Sequence, residues 1–90
     1  MGVKAFPAEG SSTFVIEPWN VILLNDEQHT FDEVVRQVMK ATGYPHTKAE
    51  DITWEAHTSG EALCYAGSRK RCEIVAMVLE EIALGVRLEK

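Results

Sequence analysis

Long apolar runs are missing from this chain. No stretch approaches the roughly 18 consecutive apolar residues that a membrane-spanning helix requires, so no membrane partner is expected. Cysteine is scarce: the two present, Cys64 and Cys72, lie eight positions apart inside predicted regular structure. That spacing matches neither a redox pair nor a zinc site, so both are expected as buried free thiols in a reducing compartment. Basic charge is also short, with 9 Lys and Arg against 14 Asp and Glu and a net charge of -5. An acidic balance argues against broad phosphate-backbone contact, and nucleic acid is not an expected partner. No Gly-rich phosphate loop, His-x-x-x-His or Glu-x-x-His pair occurs, so no metal or cofactor is expected. No charged-then-apolar leader opens the chain, and a cytoplasmic protein is the expectation.

What remains is 90 residues, 46% hydrophobic and 26% charged, enough for one small domain. A chain of this length buries only about 60–65% of its unfolded surface, so each apolar face has to be used. Residues 1–17 hold Gly2, Pro7, Gly10, Ser11 and Ser12 with no sustained period. They read as a flexible N-terminal arm, ahead of a folded domain over 18–90.

The domain opens with Trp19 to Leu24, a short apolar run between Pro18 and Asn25-Asp26. It reads as a buried strand. Thr30 and Glu33 form a capping box, which starts a helix at Phe31. Phe31, Val34, Val35, Val38, Met39 and Thr42 follow the helical period of one buried face, and Gly43 and Pro45 end it. Thr47 with Glu50 predicts the cap of a second helix, with Ala49, Ile52, Thr53, Ala56 and His57 inward and Gly60 closing it. Residues 62–66 read as a strand. Gly67-Ser68 leads to a third helix with a stripe of Cys72, Val75, Ala76, Val78, Leu79 and Ile82, capped by Gly85. Val86-Arg87-Leu88 is a last strand. The order β-α-α-β-α-β predicts an α+β domain, a three-stranded antiparallel sheet with three helices on one face.

Asn25, Asp26 and Glu27 stand where the first strand ends, and His57 stands near the end of the second helix. A loop folded towards that helix would gather an amide oxygen, a carboxylate and an imidazole nitrogen. Three acceptors match the three N–H donors of a primary ammonium. With the apolar groups of Phe31, Val34, Thr53 and Ala56 beside them, they describe a receptor for a free α-amino group and a bulky first residue. The competing reading of Asn25-Asp26-Glu27 is a turn or Asx cap. His29 and His46 read as loop histidines without a role. Asp26 and His57 lack a nucleophile and oxyanion donors, so no catalytic residue is assigned and an enzyme is not expected. Arg69, Lys70 and Arg71 sit at a helix start, where the dipole disfavours positive charge, and mark a candidate partner contact. Glu80-Glu81 reads as solvated, or as part of the same docking surface.

The run Trp19-Asn-Val-Ile-Leu-Leu-Asn-Asp-Glu-Gln-His-Thr-Phe31 resembles the opening strand and Asn-Asp motif of the ClpS family, the N-degron adaptors of Clp proteases. Its Asn-Asp-Glu-x-His-Thr-Phe form is also similar to the related domain of eukaryotic N-recognin ubiquitin ligases. His57, 32 positions after Asn25, has the spacing of the family's ligand histidine. The segments over 62–68 and 86–90 resemble its second and terminal strands. The resemblance implies a non-catalytic adaptor without cofactor, expected as a monomer. Its partners would be N-degron proteins beginning with Leu, Phe, Tyr or Trp and a AAA+ unfoldase, ClpA or ClpC. Asn25, Asp26 and His57 would hold the α-ammonium group; Phe31, Val34, Thr53, Ala56 and Leu84 would line the pocket. The arm over 1–17 would serve in delivery, and the charged surfaces of the first and third helices would meet the unfoldase. A plastid location would follow if a transit peptide has been removed. Phe31 and Thr53 stand where the family commonly has methionines, and Ala56 where it has valine. Phe31 is expected to narrow the mouth and the smaller pair to widen the floor. The alternative is an interaction domain of the same fold that ignores chain termini and binds through the third helix.

Overall fold

The structure, a computed structural model, describes residues 18–90; the N-terminal arm expected over 1–17 lies outside them. Its elements are β1 (Trp19–Leu24), α1 (Phe31–Thr42), α2 (His46–Ser59), β2 (Glu61–Gly67), α3 (Arg69–Glu80) and β3 (Val86–Glu89). β1 is the central strand of an antiparallel sheet with the order β2-β1-β3. The α+β class, element order and antiparallel sheet are those the sequence predicts.

Alternation along β1 sends Val21 and Leu23 into the core, where they meet Ala62 and Cys64 of β2 and the buried stripes of all three helices. The other sheet face carries Ile22, opposite Leu63 on one side and Arg87 on the other. Arg87 spans that face, with Nη2 on Glu61 at 3.0 Å and Nε on Glu89 at 2.5 Å. A bulge opens between Val21 and Ile22, where the register to β2 shifts from Tyr65 to Leu63. The extra residue, Cys64, is buried by it.

Helix ends follow local chemistry, with two corrections. The capping box at Thr30 and Glu33 forms in both directions, and Gly43 closes α1 at φ 80°. Ser68 caps α3 by accepting the Arg71 N–H at 3.2 Å. The expected Thr47–Glu50 box does not form: α2 begins at His46 with Pro45 as N-cap and no side-chain cap bond. The fixed φ of Pro45 leads into the helix early, so Thr47 already lies within the first turn. Glu50 faces His46 instead, at 3.7 Å.

Gly85 does not cap α3 either. Ala83 takes the left-handed position at φ 64°. The Ala83 N–H donates to Glu80 O at 2.9 Å and the Leu84 N–H to Leu79 O at 3.4 Å. This is a Schellman pattern, closed by Leu84 and Leu79, both buried. Glu81 is not a free solvated acid: it takes Lys40 Nζ at 2.9 Å and Gln37 Nε2 at 3.3 Å. Gln37 is itself buried and donates to Val78 O at 2.6 Å, tying α1 to α3.

Candidate functional site

The rim of the sheet is built from the end of β1. The Leu24 N–H donates to Gly85 O and the Asn25 N–H to Gly60 O, each at 3.0 Å. Gly60 sits at φ 94° and ends α2 by donating to Ala56 O. One residue therefore closes the helix that carries His57 and anchors the loop that carries Asn25. Between this loop and α2 lies a pocket of about 590 Å³.

Its polar lining is Asn25, Asp26, Glu27, His29 and His57. Asn25 Nδ2 donates to Glu27 Oε2 at 2.8 Å, and among the described residues its Oδ1 accepts nothing. Asp26 is held by its own loop: Oδ1 accepts the N–H of Gln28 at 2.5 Å and of His29 at 3.2 Å, and Oδ2 meets His29 Nδ1. A carboxylate offers about four acceptor positions, so one remains. Burial pushes the Asp26 carboxyl up, but the Gln28 N–H and the His29 ring and N–H outweigh it and leave the group below its ordinary value. The C-terminal end of α2, with its partial negative charge, meets the same pocket at His57. Acidic groups, free acceptors and a helix C-terminus together suit a small cation with several N–H donors.

The apolar lining is Leu23, Leu24, Phe31, Val34, Thr53, Trp54 and Ala56. Val34, Thr53 and Ala56 are buried and form its floor. The Thr53 hydroxyl is spent on Ala49 O at 2.8 Å, so its hydrogen is not free for a polar partner in the pocket. Phe31 and Trp54 form the lip, edge to face with ring centroids 6.3 Å apart.

The structure thus brings Asn25, Asp26, His57, Phe31, Val34, Thr53 and Ala56 around one pocket, with three corrections. His57 is exposed at the rim, not turned inward with Ala56, because the core face of α2 ends one residue earlier. Phe31 likewise leaves the core face, 37% exposed. Leu84 does not line the pocket; it lies in the core against Leu79, placed there by the turn after α3. Leu23, Leu24, His29 and Trp54 also line the pocket and were not expected there. His29 holds Asp26, a pairing that its position three residues on could have suggested. Trp54, 59% exposed, stands one turn before His57, and a tryptophan off the apolar face of a helix was the available signal. Of the basic cluster, Arg69 pairs with Glu73 at 3.1 Å and lies 5.3 Å from the Trp19 ring centre. Lys70 and Arg71 make no ion pair among the described residues.

Among curated proteins no sequence matches this one. Among solved structures, that of Agrobacterium tumefaciens ClpS2 bound to L-phenylalaninamide superposes with a TM-score of 0.75 at 19% identity, over 81% of this chain and 95% of that one. At such identity the likeness speaks for the fold. The family model described as ATP-dependent Clp protease adaptor protein ClpS matches residues 16–85. The chain belongs to the ClpS family of Clp protease adaptors.

Proposed function

We propose that this ClpS-family chain binds proteins through a free α-amino group and a bulky hydrophobic first residue, Leu, Phe, Tyr or Trp, and delivers them to a AAA+ Clp unfoldase, ClpA or ClpC. The observation that carries this reading is a single pocket lined by Asn25, Asp26 and His57 together with Leu23, Phe31, Val34 and Ala56. A terminus has the same division: a cation with three donors beside an apolar side chain. The ClpS2 relative in complex with L-phenylalaninamide, a free α-amine on an aromatic residue, supports it.

Each hydrogen bond to the ammonium contributes about 1.5–3 kcal/mol, and burying the side chain contributes about 1.5–3 kcal/mol. Association and ordering offset several of these. A net of roughly -8 kcal/mol, a low-micromolar Kd, is expected. Fluorescence anisotropy with a labelled peptide beginning in Phe, beside its N-acetylated form, tests it. The free peptide binds and the acetylated one does not; equal binding of the two ends the α-ammonium reading.

A second reading, a domain that ignores termini and binds through α3, draws on Ile74 and Met77, one turn apart and exposed on that helix. Pull-downs with Arg69, Lys70 and Arg71 reversed to Glu discriminate, since loss of every partner favours it. Loss of the unfoldase alone, with peptide binding kept, favours the adaptor.

A further inference from the structure

The pocket is larger than its first guest needs. A cavity of roughly 150 Å³ already takes benzene, whereas the space between the loop and α2 is about 590 Å³. At the outer end of this space stands Trp54, 59% exposed although its ring touches two others. Phe31 meets it edge to face at 6.3 Å, and His57 lies tilted at 5.8 Å. These contacts hold one side of the indole and leave the rest to solvent at the mouth. A tryptophan kept open in this way forgoes the burial that normally stabilises so large a side chain.

Position along the helix tells which part of a guest it would meet. His57 and Trp54 are three residues apart on α2, about 4.5 Å along the axis. Successive α-carbons of an extended peptide are about 3.8 Å apart. With the α-ammonium at His57 and the first side chain on the floor by Val34 and Ala56, the next residue lies within reach of the indole, whose ring is 5.8 Å from that of His57.

We propose that Trp54 is a specificity-determining residue that forms a subsite for the second residue of the bound terminus and favours a large apolar or aromatic side chain there. This rests on the pocket being a receptor for a chain terminus. Phe31 and His57 act as its supports, so first-residue and second-residue recognition share one aromatic cluster.

The test uses the full chain and peptides Phe-X with X as Ala, Leu, Tyr or Trp, each free and N-acetylated, read by competition anisotropy. Wild type binds the Leu, Tyr and Trp peptides about fivefold more tightly than the Ala peptide, the scale of one aromatic contact. In Trp54→Ala all four converge on the Ala affinity, while Trp54→Phe keeps part of the preference. Folding of the variants is checked by circular dichroism; should Trp54→Ala misfold, Trp54→Phe and Trp54→Gln carry the comparison. Equal affinity across X in wild type, or a preference that survives in Trp54→Gln, overturns the subsite alone. Equal binding of free and acetylated peptides overturns the terminus reading, and the subsite with it.

Discussion

The backbone N–H of Asn25 donates to the carbonyl of Gly60 at 3.0 Å. This bond joins the end of β1 to the end of α2, and so sets the loop bearing Asn25 and Asp26 against the last turn bearing His57. Gly60 reaches it at φ 94°, a left-handed conformation that side chains disfavour.

Gly60→Ala therefore loses about 1–2 kcal/mol of stability and also weakens binding of a Phe-initiated peptide. Gly43→Ala, at φ 80° and closing α1 away from the pocket, loses a similar amount with affinity unchanged. Urea melts and anisotropy on both variants check this. Matched affinities would mean that the Gly60 end of α2 does not set the pocket.

Asp26→Asn and His57→Ala each lower peptide affinity by roughly 10- to 100-fold, the scale of one hydrogen bond to a charged group. His29→Ala costs less, since His29 bonds Asp26, the proposed ligand contact. A loss at His29 equal to that at Asp26 would make His29 a direct contact.

Ala83 holds the left-handed position of the turn after α3 at φ 64°. Ala83→Gly relieves that conformation, offset in part by the freer unfolded chain, and raises stability by about 0.5–1 kcal/mol. Thermal melts read it as a higher Tm. A lower Tm would mean that the Ala83 side chain contributes more than its left-handed conformation costs.

Burial pushes the Cys64 thiol from an ordinary 9.0 up to about 12. The sign follows from linkage: the unfolded chain ionises first, so it gains on the folded one as pH rises. The Cys64 contribution is level below pH 9 and is lost between pH 9 and about 12. Urea melts across that range show a steeper alkaline decline in wild type than in Cys64→Ala. The native thiol also resists alkylation at pH 8, and becomes reactive on unfolding.

Local rules carried most of the fold. The Thr30–Glu33 box, the glycines at 43 and 60 and the apolar periods of the helices each depend on neighbours within a turn or two. Where two signals competed locally, the nearer constraint won: Pro45 started α2 ahead of Thr47, and Ala83 turned the chain before Gly85 was reached. Such outcomes are set by the backbone and packing around each cap, so the residue type at one position does not decide them alone.

The amino-acid sequence by itself determined the six elements, their order and the polar residues at the strand end. Only the tertiary structure decided that Asn25, Asp26 and His57 line one pocket, because β1–β2 pairing with its bulge and the Asn25–Gly60 bond bring distant segments together. It also decided that His29 serves Asp26, that Leu84 stays in the core and that Trp54 completes the lip. Periodicity says which way a side chain leaves its helix; what stands opposite is set by packing between elements far apart in the chain.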